Sequence, residues 1–165
     1  MKLRQLEPKD AALMYEWMHD TSVVGDLKAN FTEKTMDDCL NFIAAAQSSE
    51  TDIHFAVADD HDEYMGTVSL KHVDRVNRMA EFAIVVRKAA MGRGFSREAM
   101  EQILRYGVEQ LDLQHIFWCV SRMNTRAVRF YDKNGYCRMK AAPAELAAFY
   151  EDEKELLWYG YPAQG

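Results

Sequence analysis

The spacing of apolar and polar residues changes period several times along the chain. The opening "KLRQLE" alternates at period two, as a half-buried strand does. Past Pro8, "DAALMYEWMHD" switches to helical spacing, with Ala12, Leu13, Tyr15, Trp17 and Met18 apolar. A second helix is predicted over "TEKTMDDCLNFIAAA", with Met36, Leu40, Ile43 and Ala44 on one face and Thr32 or Thr35 as its cap. Three strand-like runs follow, "DIHFAVAD", "EYMGTVSLKHV" and "RMAEFAIVVR", the first two joined by the polar turn "DDHDE". From Ser96 a long amphipathic helix is predicted. Met100, Ile103, Leu104, Val108 and Leu111 form its apolar stripe, and Gly107 weakens its interior by about 1 kcal/mol. "HIFWCVS" reads as a buried strand, "NTRAVRFYDKNGY" as a short helix capped by Asn124 and stopped by Asn134-Gly135, and "KELLWYGY" as a closing strand. The order β-α-α-β-β-β-α-β-α-β-β predicts a mixed α/β fold: a twisted, mostly antiparallel sheet, helices on both faces, and a crossover beside the glycine loop. No repeat or linker interrupts it, so residues 1–165 are read as one domain.

Composition narrows the function classes. Hydrophobic residues make up 48% and charged residues 28%, as in soluble globular proteins. No apolar stretch is long enough to cross a bilayer, and the first twenty residues lack the apolar core of a signal peptide. Cys39, Cys119 and Cys137 are too scattered for a disulfide framework or zinc site, and the five histidines show no metal spacing. No metal is expected, and the setting is expected to be reducing and cytoplasmic. A net charge of −6 argues against a nucleic-acid partner, and no membrane partner is expected. The charge is patchy, however. Arg87, Lys88, Arg93 and Arg97 share a stretch without an acid, as do Arg122, Arg126 and Arg129. Such stretches suit a compact anion, or they are solvated helix ends; charge alone leaves both open.

The first cation-rich stretch contains "EFAIVVRKAAMGRGFSREAM", a strand, a glycine turn and a helix start in succession. It lacks the Gly-Lys-Ser/Thr ending of a Walker loop, and Arg97 stands where a dinucleotide fingerprint has its third glycine. What remains is the general device: glycines admit close approach, amides point outward, and the helix start adds positive potential. Arg87 and Arg93 are placed to add charge-assisted bonds. Together with Asn124 opening the helix that ends "Phe130-Tyr131…Gly135-Tyr136", this loop resembles the GCN5-related N-acetyltransferase (GNAT) superfamily. That family's Gln/Arg-x-x-Gly-x-Gly/Ala loop aligns with Met91-Gly92-Arg93-Gly94-Phe95-Ser96. Gly94 matches, whereas Met91 and Ser96 depart from the pattern. The chain is most similar to the spermidine acetyltransferase-like branch, through "AEF", and to the amino-sugar acetyltransferase-like branch, through "YEWMHD".

The resemblance implies an acetyl-CoA-dependent N-acetyltransferase that acts directly on a primary amine of an amino sugar, polyamine or aminoglycoside-like compound. A protein N-terminus, or a non-catalytic acyl-CoA-binding role, is the alternative. It implies cofactor contacts from Met91, Gly92, Arg93, Gly94, Phe95, Ser96 and Asn124, and pantetheine pairing with the backbone of Ile84, Val85 and Val86. It further implies Tyr131 as proton donor to the leaving thiolate, Glu81 as general base, and a homodimer. A phenol with an ordinary pKa near 10 is a reasonable donor to a thiolate. Glu81 is equally an ordinary edge acid by its residue type. The first helices, with Trp17, Met18, Asp26, Asp37 and Asp38, are expected to shape the acceptor site, with His19 and His72 nearby.

Overall fold

The computed structural model describes residues 1–27, 29–151 and 155–162. Seven strands form one sheet: β1 (Lys2–Gln5), β2 (Ile53–Ala58), β3 (Tyr64–Asp74), β4 (Met79–Val86), β5 (His115–Ser121), β6 (Cys137–Arg138) and β7 (Leu156–Tyr161), in the spatial order β1-β2-β3-β4-β5-β7-β6. The helices are α1 (Ala11–Met18), α2 (Thr21–Val24), α3 (Met36–Ala46), α4 (Phe95–Glu109), α5 (Thr125–Lys133) and α6 (Ala144–Ala147). Neighbouring strands run antiparallel except β4 and β5, which are parallel because α4 carries the chain across between them. The predicted order of elements holds, and the one-turn helices α2 and α6 are additions to it. Lys154, within the predicted last strand, lies outside the described residues.

Alternation along the central strands divides the core in two. Ala80, Phe82 and Val86 of β4, with Ile116, Trp118 and Val120 of β5, face Ala99, Met100, Ile103 and Leu104 of α4. On the other face, Ala56 and Tyr64 pack against Trp17, Met18, Cys39 and Ile43 from α1 and α3. Helix α4 lies so close to the sheet that a Cβ on Gly107 would stand 2.7 Å from Ile116 Cδ1. The glycine that weakens the helix in isolation is what lets it approach.

The face of α3 differs from expectation. Met36 and Leu40 are each 39% exposed and Ala44 is exposed, while Cys39 and Ile43 are buried with Phe42 and Ala46 beside them. The helix seats through Cys39, whose Sγ lies 3.6 Å from Met18 Sδ. A buried thiol acts as a small hydrophobe, which turns the buried stripe toward it. The cap is Thr35, in a reciprocal box with Asp38.

A buried ion pair ties the start of the chain to the rest. Asp10 is 2% exposed, and Arg4 Nη1 and Nη2 donate to its two oxygens, each at 2.8 Å. Arg4 Nε also donates to Asp62 Oδ1 at 2.7 Å, reaching the turn between β2 and β3. Removing one partner leaves the other charge stranded in the interior. Arg4→Met is therefore expected to lower stability by about 3 kcal/mol. The check is a lower urea midpoint at unchanged m-value.

Candidate active site

Strands β4 and β5 pair only at Met79–His115, Ala80–Ile116 and Glu81–Phe117. Beyond Glu81 they part. β4 continues along β3 as far as Val86, while β5 continues along β7. The edge of Ile84–Val86 that faces β5 thus has no strand partner among the described residues, and a slot opens inside the sheet.

The chain leaves β4 by a tight turn at Lys88–Ala90 and enters the glycine loop. Gly92 and Gly94 adopt φ of 75° and 84°, a left-handed conformation that glycine takes at no steric cost. Gly94 is the N-cap of the fifteen-residue α4. The amides of residues 92–97 donate to no protein acceptor among the described residues, and they stand at the positive end of that helix. A Cβ at either glycine would meet nothing within 4 Å, so the loop is an open cradle.

Cations are distributed differently from expectation. Arg93 stays at the cradle, with Nη1 3.2 Å from Ala89 O and its guanidinium 5.1 Å over the Phe95 ring. Arg87 does not: its Nε and Nη2 bind Glu16 at 3.0 and 3.1 Å, and Nη1 lies 3.7 Å from Glu63. It fastens the end of β4 to α1 instead of serving the loop. Arg126, from the first turn of α5, places Nη1 3.2 Å from Met91 Sδ and so overhangs the loop. Its membership in the second acid-free stretch was the one sequence signal for it.

Helix α5 presents Asn124 and Tyr131 inward together, as their spacing requires. Asn124 Oδ1 caps the helix, accepting from the Ala127 amide at 3.2 Å. Its side-chain NH2 has no protein partner among the described residues. Tyr131 packs among Trp118, Tyr159 and Phe130. Its hydroxyl makes no hydrogen bond among the described residues, and it is not sealed. The sealed, unpartnered side-chain polar atom there is Trp118 Nε1. Burial, and after it the neighbouring Tyr159, holds the Tyr131 proton well above the ordinary phenol range. A phenol that keeps its proton in this way is able to donate a hydrogen bond to a negative charge.

Glu81 occupies the last paired position of β4 and β5, on the face opposite α4, and is 2% exposed. Its Oε1 accepts from His72 Nδ1 at 2.9 Å, and its Oε2 accepts from the Tyr150 hydroxyl. A bulge in β3 between Lys71 and Asp74 puts His72 at φ 51°. Phe149 stacks on the His72 ring, centroids 4.0 Å apart and planes 8° from parallel. No spacing announces this cluster, because a bulge and the segment after α6 bring residues 72, 81, 149 and 150 together.

The first helices hold several of the other residues singled out. Trp17 and Met18 are core residues, and Trp17 Nε1 donates to the Tyr64 hydroxyl at 2.9 Å. Asp38 serves the cap of α3, and His19 receives the end of α1. Two surface cavities lie elsewhere. One of about 560 Å³ lies over α5 between Arg122 and Lys133, and one of about 430 Å³ is lined by Tyr150, Leu156 and Trp158. Neither includes Tyr131 or the loop.

Residues 1–137 match the family described as the Acetyltransferase (GNAT) domain. The chain is 27% identical over 142 residues to spermidine N(1)-acetyltransferase of Escherichia coli K12, a match covering 82% of this chain and 72% of that protein. It is 32% identical over 82 residues to spermidine N(1)-acetyltransferase of Vibrio cholerae serotype O1; that match takes in 50% of this chain and about half, 47%, of the relative. The crystal structure of spermidine N-acetyltransferase from Vibrio cholerae in complex with CoA and spermine shares the fold, with a TM-score of 0.76 at 19% identity over 96% of this chain and 92% of that one. With a family match over most of its length and the parted strands and glycine cradle in place, the chain belongs to the GNAT acetyltransferase family.

Proposed function

We propose that this chain transfers the acetyl group of acetyl-CoA directly to a primary amine of a small molecule, with polyamines as the acceptor class. One observation carries the reading. The edge of Ile84–Val86 without a strand partner and the open cradle of Met91–Ser96 lie at the end of β4 beyond its last pair with β5, and Tyr131 packs on Trp118, the first β5 residue beyond that pair. The cradle suits the diphosphate, and the strand edge suits the amides of the pantetheine arm. A β4 amide is placed to hold the carbonyl oxygen as charge develops on it. Tyr131 donates to the departing sulfur. The acceptor class is supported by what the similar bacterial enzymes are named for. This reading carries a cytoplasmic setting, where acetyl-CoA is available, and a homodimer; sedimentation at monomer mass would remove the latter.

Thiol release from acetyl-CoA tests the reading across spermidine, spermine, amino sugars, aminoglycosides and peptides. Fastest release with the polyamines is expected. Coenzyme A binding without release by any amine would make the chain a binding module, and fastest release with peptides would move the acceptor to protein N-termini.

Asn124 has two separable duties in this scheme. Asn124→Ser keeps an oxygen for the cap and removes the side-chain NH2. Stability is expected to stay within about 0.5 kcal/mol. The KM for acetyl-CoA is expected to rise about tenfold, the scale of one lost hydrogen bond. Steady-state kinetics alongside thermal melts checks both.

A further inference from the structure

We propose that His72 is the general base of this site and that Glu81 is the residue that positions it. The proposal rests on the acetyl-transfer reading and names the group that removes the acceptor's proton. The Glu81 side chain is 3% exposed, and each of its oxygens already accepts a hydrogen bond, so an incoming amine does not reach it. The His72 side chain is 34% exposed. Because the carboxylate accepts at Nδ1, the neutral ring carries its proton there and presents its lone pair at Nε2. Nε2 has no protein partner among the described residues.

The backbone supports the same assignment. A non-glycine residue at φ 51° is held outside the favoured backbone regions, and such strain collects at functional positions. Here it aims the imidazole of a bulged residue at Glu81, while the His72 amide is anchored to Asp52 Oδ1 at 3.0 Å and Phe149 covers one ring face. Glu81 is also the residue at which β4 and β5 part. The imidazole thus belongs to one face of the sheet at the apex of the slot, and Tyr131 to the other. Base and acid flank the reacting centre from opposite sides.

The proton count closes. The ammonium gives one proton to Nε2, and the resulting imidazolium is stabilised by the Glu81 carboxylate and sheds that proton to solvent. The neutral amine attacks the thioester carbon, forming the C–N bond. The C–S bond breaks with its electron pair on sulfur, which takes the Tyr131 proton. The nitrogen's surplus proton returns, by way of solvent, to the phenolate. The charged and titratable groups around His72 are Glu81 from β4, Tyr150 from the segment after α6, Asp52 from the turn before β2, and its neighbour Lys71.

His72→Asn is the test, since asparagine tolerates the left-handed backbone. With spermidine at pH 7, kcat/KM is expected to fall about 100-fold, with acetyl-CoA affinity unchanged by calorimetry. At pH 10, near the ordinary pKa of an alkyl ammonium, the deficit is expected to shrink to a few-fold, because the acceptor no longer needs a base. Glu81→Gln is expected to show the same closing deficit. A loss of equal size at both pH values, or no loss at either, overturns the assignment. Wild-type protein that neither binds coenzyme A nor releases thiol would instead overturn the acetyl-transfer reading itself.

Discussion

Tyr131→Phe is expected to lower kcat by about 100-fold to 1,000-fold while thermal stability and acetyl-CoA affinity stay at their wild-type values. The ring is the structural part of this residue: it fills space among Trp118, Tyr159 and Phe130, and phenylalanine fills the same space. The hydroxyl has no partner among the described residues, so deleting it strands no buried donor or acceptor. Loss of turnover without loss of fold is therefore the signature of a proton donor to sulfur. Single-turnover measurements locate the defect in the chemical step, and unchanged turnover would strip Tyr131 of its role.

Gly94→Asp is expected to weaken coenzyme A binding by at least about 100-fold in a protein that still folds. A carboxylate among amides arranged for an anion repels the diphosphate, a like-charge contact that costs several kcal/mol. The new side chain meets no atom within 4 Å, and Asp accepts positive φ more readily than most residues. Gly94→Ala separates the two contributions. Alanine suffers more from the left-handed backbone but brings no charge, so it is expected to cost more stability and less affinity than aspartate does. Calorimetry with coenzyme A and thermal melts of the two variants check the contrast, and wild-type affinity in Gly94→Asp would remove the cradle from the site.

Features that depend on neighbours along the chain were legible before the structure. Asn124 as a cap, Gly135 as a stop with φ 80°, and the stripe of Met100, Ile103 and Leu104 follow from residue type and period. The cradle was legible too, since two glycines before a helix set its amides by local geometry. What escaped depends on contacts between distant elements. Arg87 sits in a cation-rich stretch, yet Glu16 and Glu63, far away in sequence, claim it. Met36 and Leu40 look like a buried stripe until Cys39 meets Met18 and turns the helix. Glu81 reads as a lone acid in an apolar strand, because its partners His72 and Tyr150 reach it only through a bulge and a returning tail. The raised Tyr131 proton affinity likewise comes from burial among rings of three elements, which no local window contains.

The parting of β4 and β5 also bears on how long each molecule persists. On the proposed function, an acyl donor lying along Ile84–Val86 acts as a borrowed strand that mends the sheet from within. Folding stability then rises with donor supply, by about 2.7 kcal/mol when the donor stands at 100 times its Kd. Proteolytic half-life would then lengthen as the donor concentration rises and shorten as it falls.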